Sequence, residues 1–142
     1  MSNLQNRITP IQAVLLGGLC AIGISCLSGS ILGGLWLRIA VWNGTSIQAA
    51  YAELMASSGS IGSWLAMVPQ MIAGAVGGYV AAHGGRRPIV LAALSGLLYL
   101  SFVASMYINP MAQPLPLWFT ALSIALPIAS TLLGGLIYVR KT

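Results

Sequence analysis

Four long apolar runs, separated by short polar breaks, constrain this chain more than any other feature of its sequence. None of the four contains Asp, Glu, Lys, Arg or His, and they cover residues 11–37, 61–82, 89–108 and 117–139. Each run reaches the ~20 residues with which an α-helix crosses a hydrocarbon core about 30 Å thick. The sequence therefore predicts an all-α polytopic membrane protein with four transmembrane helices, folded as one domain over residues 1–142.

The composition excludes the soluble alternatives. Charged residues make up 5% of the chain and hydrophobic residues 58%, and the mean hydropathy is +0.91. Soluble domains carry about 25% charged residues, so this chain lacks the residues for a water-facing surface. The net charge of +5 could suggest a nucleic-acid partner, but no basic stripe with interleaved aromatic residues is present. We expect the lipid bilayer as a partner and no nucleic acid.

The positions of the cations predict the orientation of the helices. Cytoplasmic loops of membrane proteins carry an excess of Lys and Arg. In a four-span arrangement one side holds Arg38 alone, and the other side holds Arg7, Arg86, Arg87, Arg140 and Lys141. Tryptophans favour the interfaces, and all four fall near the Arg38 side: Trp36, Trp42, Trp64 and Trp118. We therefore expect both termini to be cytoplasmic, in the inner membrane of a bacterium.

Small residues recur at every fourth position in two of the runs. The first run carries Ala13, Gly17, Ala21, Ser25, Gly29 and Gly33, and the second carries Gly62, Ala66, Gln70, Gly74, Gly78 and Ala82. The fourth run has a shorter series: Ser123, Pro127, Thr131 and Gly135. Helices in a bilayer associate through close packing of such residues, so the series predict helix-packing faces and close contact between the first two spans. The alternative is that glycine is simply common in membrane helices.

Gln70 lies in the middle of the second run, directly after Pro69. A buried amide in hydrocarbon needs hydrogen-bond partners, and Pro69 leaves a carbonyl of the preceding turn without its helical donor. One interpretation of Gln70 is a hydrogen bond between helices. The other is an amide that lines a pore or contacts a substrate.

The connection over residues 43–60 is the one long segment between spans. Ile47, Ala50, Tyr51 and Leu54 share one helix face, which predicts a short interfacial helix on the outer leaflet. Glu53, the only acidic residue of the chain, lies in this segment. We expect it to form an ion pair with Arg38.

The residues needed for catalysis or metal binding are missing from the sequence. Its single His83 lies in the turn beside Arg86 and Arg87, and a metal site needs clustered ligands. Proton or ion coupling nearly always uses an ionisable residue at membrane depth, and the four runs have none. Cys20 and Cys26 are rotated too far apart on one helix to form a disulfide. We expect no enzyme, no metal and no cofactor.

The second half of the chain resembles a group of small, uncharacterised four-span membrane proteins of bacteria. The resemblance rests on the stretches GAVGGYVAAHGGRRPIVLAALSGLLY and PLPLWFTALSIALPIASTLLGGLIYVRK. The shared features are a GGY-x-A-A helix end, a short basic turn, a Pro-Leu-Trp helix start and a Gly-Gly pair before basic residues. The resemblance implies a bacterial inner-membrane location and assigns no activity.

Two classes of function remain open at this stage. One is an accessory or scaffold subunit that packs against itself or against other membrane protein subunits through its small-residue faces. The other is a small transporter or channel with an uncharged pathway near Gln70. The absence of ionisable residues within the runs favours the first class.

Overall fold

A computed structural model describes residues 8–56, 61–107 and 117–141, except for the side chains of residues 53–56, 61–66 and 106–107. Throughout these ranges the regular structure is helical, in five α-helices: α1 (Pro10–Trp42), α2 (Ile47–Ala56), α3 (Ile61–Ala82), α4 (Pro88–Tyr107) and α5 (Leu117–Lys141). The predicted all-α class is confirmed.

Local sequence signals set both ends of α1. The Gln12 backbone N–H donates to Thr9 Oγ1 at 3.3 Å, and the Thr9 N–H donates to Gln12 Oε1 at 3.0 Å. This reciprocal cap satisfies two donors that a helix start leaves unpaired, and Pro10 suits the first helical position because it has no N–H. The helix stops before Gly44, whose φ of 88° is a conformation that few other residues adopt. Consequently α1 continues beyond the predicted boundary at residue 37, and Arg38 lies within the helix.

The helices form a bundle in which α3 has a central place. It packs against α1, α4 and α5, while α4 packs against both α1 and α5. The contacts between Gly74 and Ser130 and between Tyr79 and Tyr138 show that α3 and α5 run in the same direction. A cluster of buried residues lies where α1, α3 and α4 meet, and it comprises Ala21, Ala73, Tyr99 and Val103.

Within the described residues, three helices are long and apolar enough to cross a membrane. They lie within Pro10–Trp42, Pro88–Ser105 and Leu117–Lys141, with mean hydropathies of 2.0, 1.9 and 1.9. The part of α3 with described side chains, Met67–Ala82, is a shorter apolar helix. The fourth span therefore stays a prediction. A helix is present at the predicted position of the interfacial segment, α2, and its placement on a membrane surface also stays a prediction.

Candidate functional site

The closest contact between α1 and α3 is built from small residues on both helices. A Cβ atom placed on Gly17 would lie 2.5 Å from the Gly77 carbonyl oxygen and 2.7 Å from Ala81 Cβ. A Cβ atom placed on Gly77 would lie 2.5 Å from the Gly17 carbonyl oxygen and 2.8 Å from Ala21 Cβ. Either position therefore accepts only glycine without movement of the backbone. Close approach of this kind maximises van der Waals contact between helices in a bilayer.

The face of α3 in this contact is not the face that the sequence series predicted. Gly74 and Gly78, which belong to the predicted series, pack against Ser130 and Thr131 of α5. The expected pairing of the two glycine series is therefore wrong, although α1 and α3 do pack closely. The residues that face α1 form a second series, Ala73, Gly77 and Ala81, rotated by about 100° from the first. The α3 helix thus has two small-residue faces, of which the spacing in the sequence predicted only the one that contains Gly74 and Gly78.

The predicted series of α1 also divides along its length. Ala13, Gly17 and Ala21 are buried, and Ser25 and Gly33 are half-buried. Gly29 is exposed, and a Cβ atom placed on it would have no described atom within 4 Å, so Gly29 does not contact another described helix of this chain. The reason is geometric: residues four apart are rotated by about 40°, and six of them turn through about 200°. Such a series cannot remain on one side of a straight helix. The assignment of Gly29 to a packing face with another subunit stays a prediction.

The contacts of α5 gather around its proline. Ser130 Oγ donates to the Pro127 carbonyl oxygen at 3.1 Å, and Thr131 Oγ1 donates to the same oxygen at 2.9 Å. A proline leaves the carbonyl group four residues earlier, here that of Ser123, without its helical hydrogen-bond donor. The two hydroxyls do not replace that donor, because they bond to the carbonyl oxygen of Pro127 itself. The whole predicted series of α5 is buried: Ser123, Pro127, Thr131 and Gly135. The predicted series did not include three further glycines that contact other helices: Gly96 contacts Thr131 of α5, Gly134 of α5 contacts Ala75, and Gly18 of α1 contacts Leu98 of α4.

Two buried polar atoms lack hydrogen-bond partners among the described residues. They are Gln70 Oε1 on α3 and the hydroxyl of Tyr99 on α4, whose side chain is fully buried. The side chains of Ser25 and Cys26 of α1 lie near the Tyr99 hydroxyl. The antiparallel contact of Gly17 and Ala21 with Gly77 brings Ser25, one turn further along α1, to the level of Gln70. Gln70, Ser25 and Tyr99 therefore lie at a similar depth in the bundle, each on a different helix. Ala66, the other predicted packing residue of α3, has a side chain outside the described residues.

The residues predicted to set the topology are exposed at one end of the bundle. Arg86 and Arg87 lie in the turn between α3 and α4, and Arg140 and Lys141 lie in the last turn of α5. Their spatial proximity follows from Gly135, at which a Cβ atom would lie 3.7 Å from the carbonyl oxygen of Pro88.

The predicted outer ion pair would join Arg38 of α1 to Glu53 of α2. Arg38 is exposed on α1, and Glu53 belongs to α2, which packs against α1. The Glu53 side chain lies outside the described residues, so the pair stays a prediction.

Ligand-forming residues are scattered where the structure describes them. Over residues 8–56, 61–107 and 117–141, no three His, Cys, Asp or Glu residues come together as a metal site would require. Cys20 and Cys26 are free thiols, the first half-buried and the second exposed. His83 instead joins an aromatic cluster with Tyr79 and Tyr138, at centroid distances of 4.9 and 4.3 Å.

No protein-family model, curated protein or solved structure matches this chain.

Proposed function

We propose that the protein is a non-enzymatic integral membrane protein that acts as an accessory or scaffold subunit, either within a larger membrane complex or as a homo-oligomer. The observation that carries this proposal is the unequal packing of α1. All its buried residues fall within the first twelve of its 33 positions, at Ala13, Gly17, Gly18 and Ala21. The remainder, from residue 22 to Trp42, has no buried residue.

The glycines in the unburied part of α1 differ from the packed glycines of the bundle in the space around them. At eight helical glycines a Cβ atom would approach a neighbouring atom within 3.0 Å, at Gly17, Gly18, Gly74, Gly77, Gly78, Gly96, Gly134 and Gly135. Gly23, Gly29 and Gly34 have nothing within 4 Å. Glycine costs a helix about 1 kcal/mol relative to alanine, and close packing offsets that cost. Gly23 and Gly34, which lie on one side of α1, would gain the same compensation from a helix of another subunit.

Four small residues define the surface that such a subunit would use. Gly23, Cys26, Ser30 and Gly34 fall within about 80° of one another around the helix axis, and all four are exposed. We name this set the open face of α1. Ser30 Oγ donates to the Cys26 carbonyl oxygen at 2.9 Å, so its polar group is satisfied within the helix. The open face can thus approach another helix closely without an unpaired hydroxyl.

Cys26 provides a direct test because it lies on the open face. With Cys20 replaced by serine, a short thiol cross-linker applied in native membranes should join two copies through Cys26, or join one copy to a stoichiometric partner subunit. Gly23→Leu should reduce that product about tenfold or more, since overpacking a contact costs about 1–3 kcal/mol. Ala129→Leu is the matched control, because Ala129 is an exposed small residue on α5. A chain that stays monomeric and uncross-linked would contradict the proposal.

One observation favours the second candidate, a small transporter or channel. Gln70 Oε1 and the Tyr99 hydroxyl are buried and have no hydrogen-bond partner in the described part of the chain, as groups that contact water or a polar solute would be. Gln70→Glu separates the two candidates. A carboxyl in a dry interior must stay protonated or carry a costly charge, so assembly should weaken. In a wet path the glutamate would be tolerated, and flux across liposomes would change between acidic and neutral pH.

The positions of the exposed cations support a location for the protein. We propose the bacterial inner membrane, with the turn at Arg86 and Arg87 and the end of α5 in the cytoplasm. The support is the grouping of exposed cations at one end of the bundle, which matches the bias of cytoplasmic loops.

A further inference from the structure

A shallow groove follows the boundary between α3 and α5 near the basic end of the bundle. It has a volume of about 290 Å³ and is lined by Ala75, Val76, Tyr79, Ile137 and Lys141. Three of these side chains are aliphatic, and Val76 and Ile137 remain partly exposed, at 40% each. The groove is therefore an apolar depression on the surface, and the ammonium group of Lys141 is among the groups that line it.

The end of the bundle around Lys141 has an unbalanced positive charge. Arg86, Arg87 and Arg140 are exposed at the same end, which the approach of Gly135 to Pro88 brings together. The only acidic residue in the sequence is Glu53, and it belongs to α2, which follows the opposite end of α1. No acidic side chain of this chain can therefore neutralise the four cations where they stand.

Tyr79, which lines the groove, belongs to an aromatic cluster with Tyr138 and His83. The rings of Tyr79 and Tyr138 are 5.7 Å apart, and His83 packs against both. His83 Nδ1 donates to the Tyr79 carbonyl oxygen at 2.9 Å, because a carbonyl oxygen can only accept. That bond fixes the ring and leaves Nε2 as its other polar atom. Tyrosine and histidine rings with one apolar and one polar side are suited to the level of lipid headgroups.

We propose that this groove binds an anionic phospholipid. One acyl chain lies along Ala75, Val76 and Ile137, and the phosphate lies against the ammonium group of Lys141. The neighbouring arginines add to the attraction for the negative charge. Basic sites between transmembrane helices bind anionic headgroups for this reason. A zwitterionic phospholipid fits the same apolar walls, but it gains little from the unbalanced charge.

Native mass spectrometry of the full-length protein in detergent tests the charge in this proposal. Phosphatidylglycerol should remain bound at lower concentration than phosphatidylcholine. Lys141→Gln should weaken phosphatidylglycerol binding about fivefold, the ratio that corresponds to ~1 kcal/mol for one cation near a membrane surface. Lys141 is exposed, so this variant should fold as the parent does. Arg38→Gln, which removes an exposed cation of α1 elsewhere in the bundle, should leave binding unchanged.

A second pair of variants tests the apolar walls. Val76→Trp should fill the groove and weaken phosphatidylglycerol binding at least as strongly as Lys141→Gln does. Val68→Trp on the same helix is the control, since Val68 is similarly exposed, at 54%, and does not line the groove. Glycerol 3-phosphate, a headgroup without acyl chains, should not compete with the lipid.

Three outcomes would overturn the proposal. They are equal retention of the two phospholipids, an equal effect of the Lys141 and Arg38 substitutions, and full competition by glycerol 3-phosphate. The first two would show that the groove does not recognise the negative charge. The third would show that the acyl chain contributes nothing.

Discussion

Gly17 on α1 and Gly77 on α3 stand in a reciprocal relationship. A Cβ atom added to either residue would lie 2.5 Å from the carbonyl oxygen of the other. Real Cβ atoms do not approach an oxygen so closely, so the helix backbones themselves are in contact at this point. The two glycines therefore fix the separation of α1 and α3.

Gly77→Leu should destabilise the protein strongly, because a side chain at this position must push two backbones apart. We expect a loss of about 1–3 kcal/mol, as for other overpacked interiors. Gly29→Leu is the matched control, since a side chain at Gly29 meets open space. Thermal unfolding of both variants as monomers in detergent should show a lower midpoint for Gly77→Leu alone. Equal midpoints would show that α1 and α3 are not in backbone contact.

The two glycines of α3 that face α5 should differ in their tolerance of alanine. At Gly74 the nearest atom is the Oγ of Ser130, which belongs to a short side chain, whereas at Gly78 it is the backbone carbonyl oxygen of Thr131. The cost of Gly74→Ala should therefore be partly relieved by a second substitution, Ser130→Ala, which removes the nearest atom and leaves the Ser130 Cβ 2.9 Å away. No side-chain substitution at residue 131 should relieve Gly78→Ala. A double-mutant cycle of unfolding free energies measures both effects. Absence of coupling between residues 74 and 130 would contradict the contact.

Removing the unpaired polar atoms of the interior should cost little. Gln70→Leu and Tyr99→Phe each keep most of the side-chain volume and delete a buried atom that has no partner in the described part of the chain. Leaving such an atom unpaired costs about 1–3 kcal/mol, so both variants should be as stable as the parent or more stable. Chemical unfolding in detergent provides the measurement. A loss of about 1 kcal/mol or more in either variant would instead indicate a bound water or solute between the helices.

The proposed orientation predicts which residues a membrane-impermeant thiol reagent can reach. After both native cysteines are replaced by serine, Gln48→Cys in α2 should be labelled from outside intact cells, and Gly85→Cys should be labelled only after the cells are opened. Both positions are exposed, so burial does not confuse the comparison. The reverse pattern would invert the topology.

The helices could be predicted from the sequence because each span must be long enough to cross the hydrocarbon core and must lack charged residues. The predicted runs at 89–108 and 117–139 correspond closely to α4 and α5. The apolar run ends near residue 37 and the helix does not, because one charged residue, Arg38, does not end a helix. The backbone of α1 continues until Gly44, where the chain adopts a positive φ.

The partners of each small-residue face were not accessible in the same way. A series at every fourth residue identifies a surface that can be approached closely, but it does not identify the helix that approaches. Both Gly74 and Gly77 of α3 are followed four residues later by another small residue, so both faces satisfy the same pattern. The choice between α1 and α5 depends on the arrangement of the whole bundle, which a local spacing does not contain.

The position of α5 in the chain has a consequence for biosynthesis. Membrane helices emerge in sequence order, so α1 and α3 can pair through Gly17 and Gly77 while the rest of the protein is still being made. The faces of α3 and α4 that hold Gly78 and Gly96 must wait, because their shared partner is Thr131 of the last helix. Until α5 is inserted, lipid or an insertion factor has to cover those two faces. The nascent protein is therefore most exposed to wrong pairing between the release of α4 and the arrival of α5.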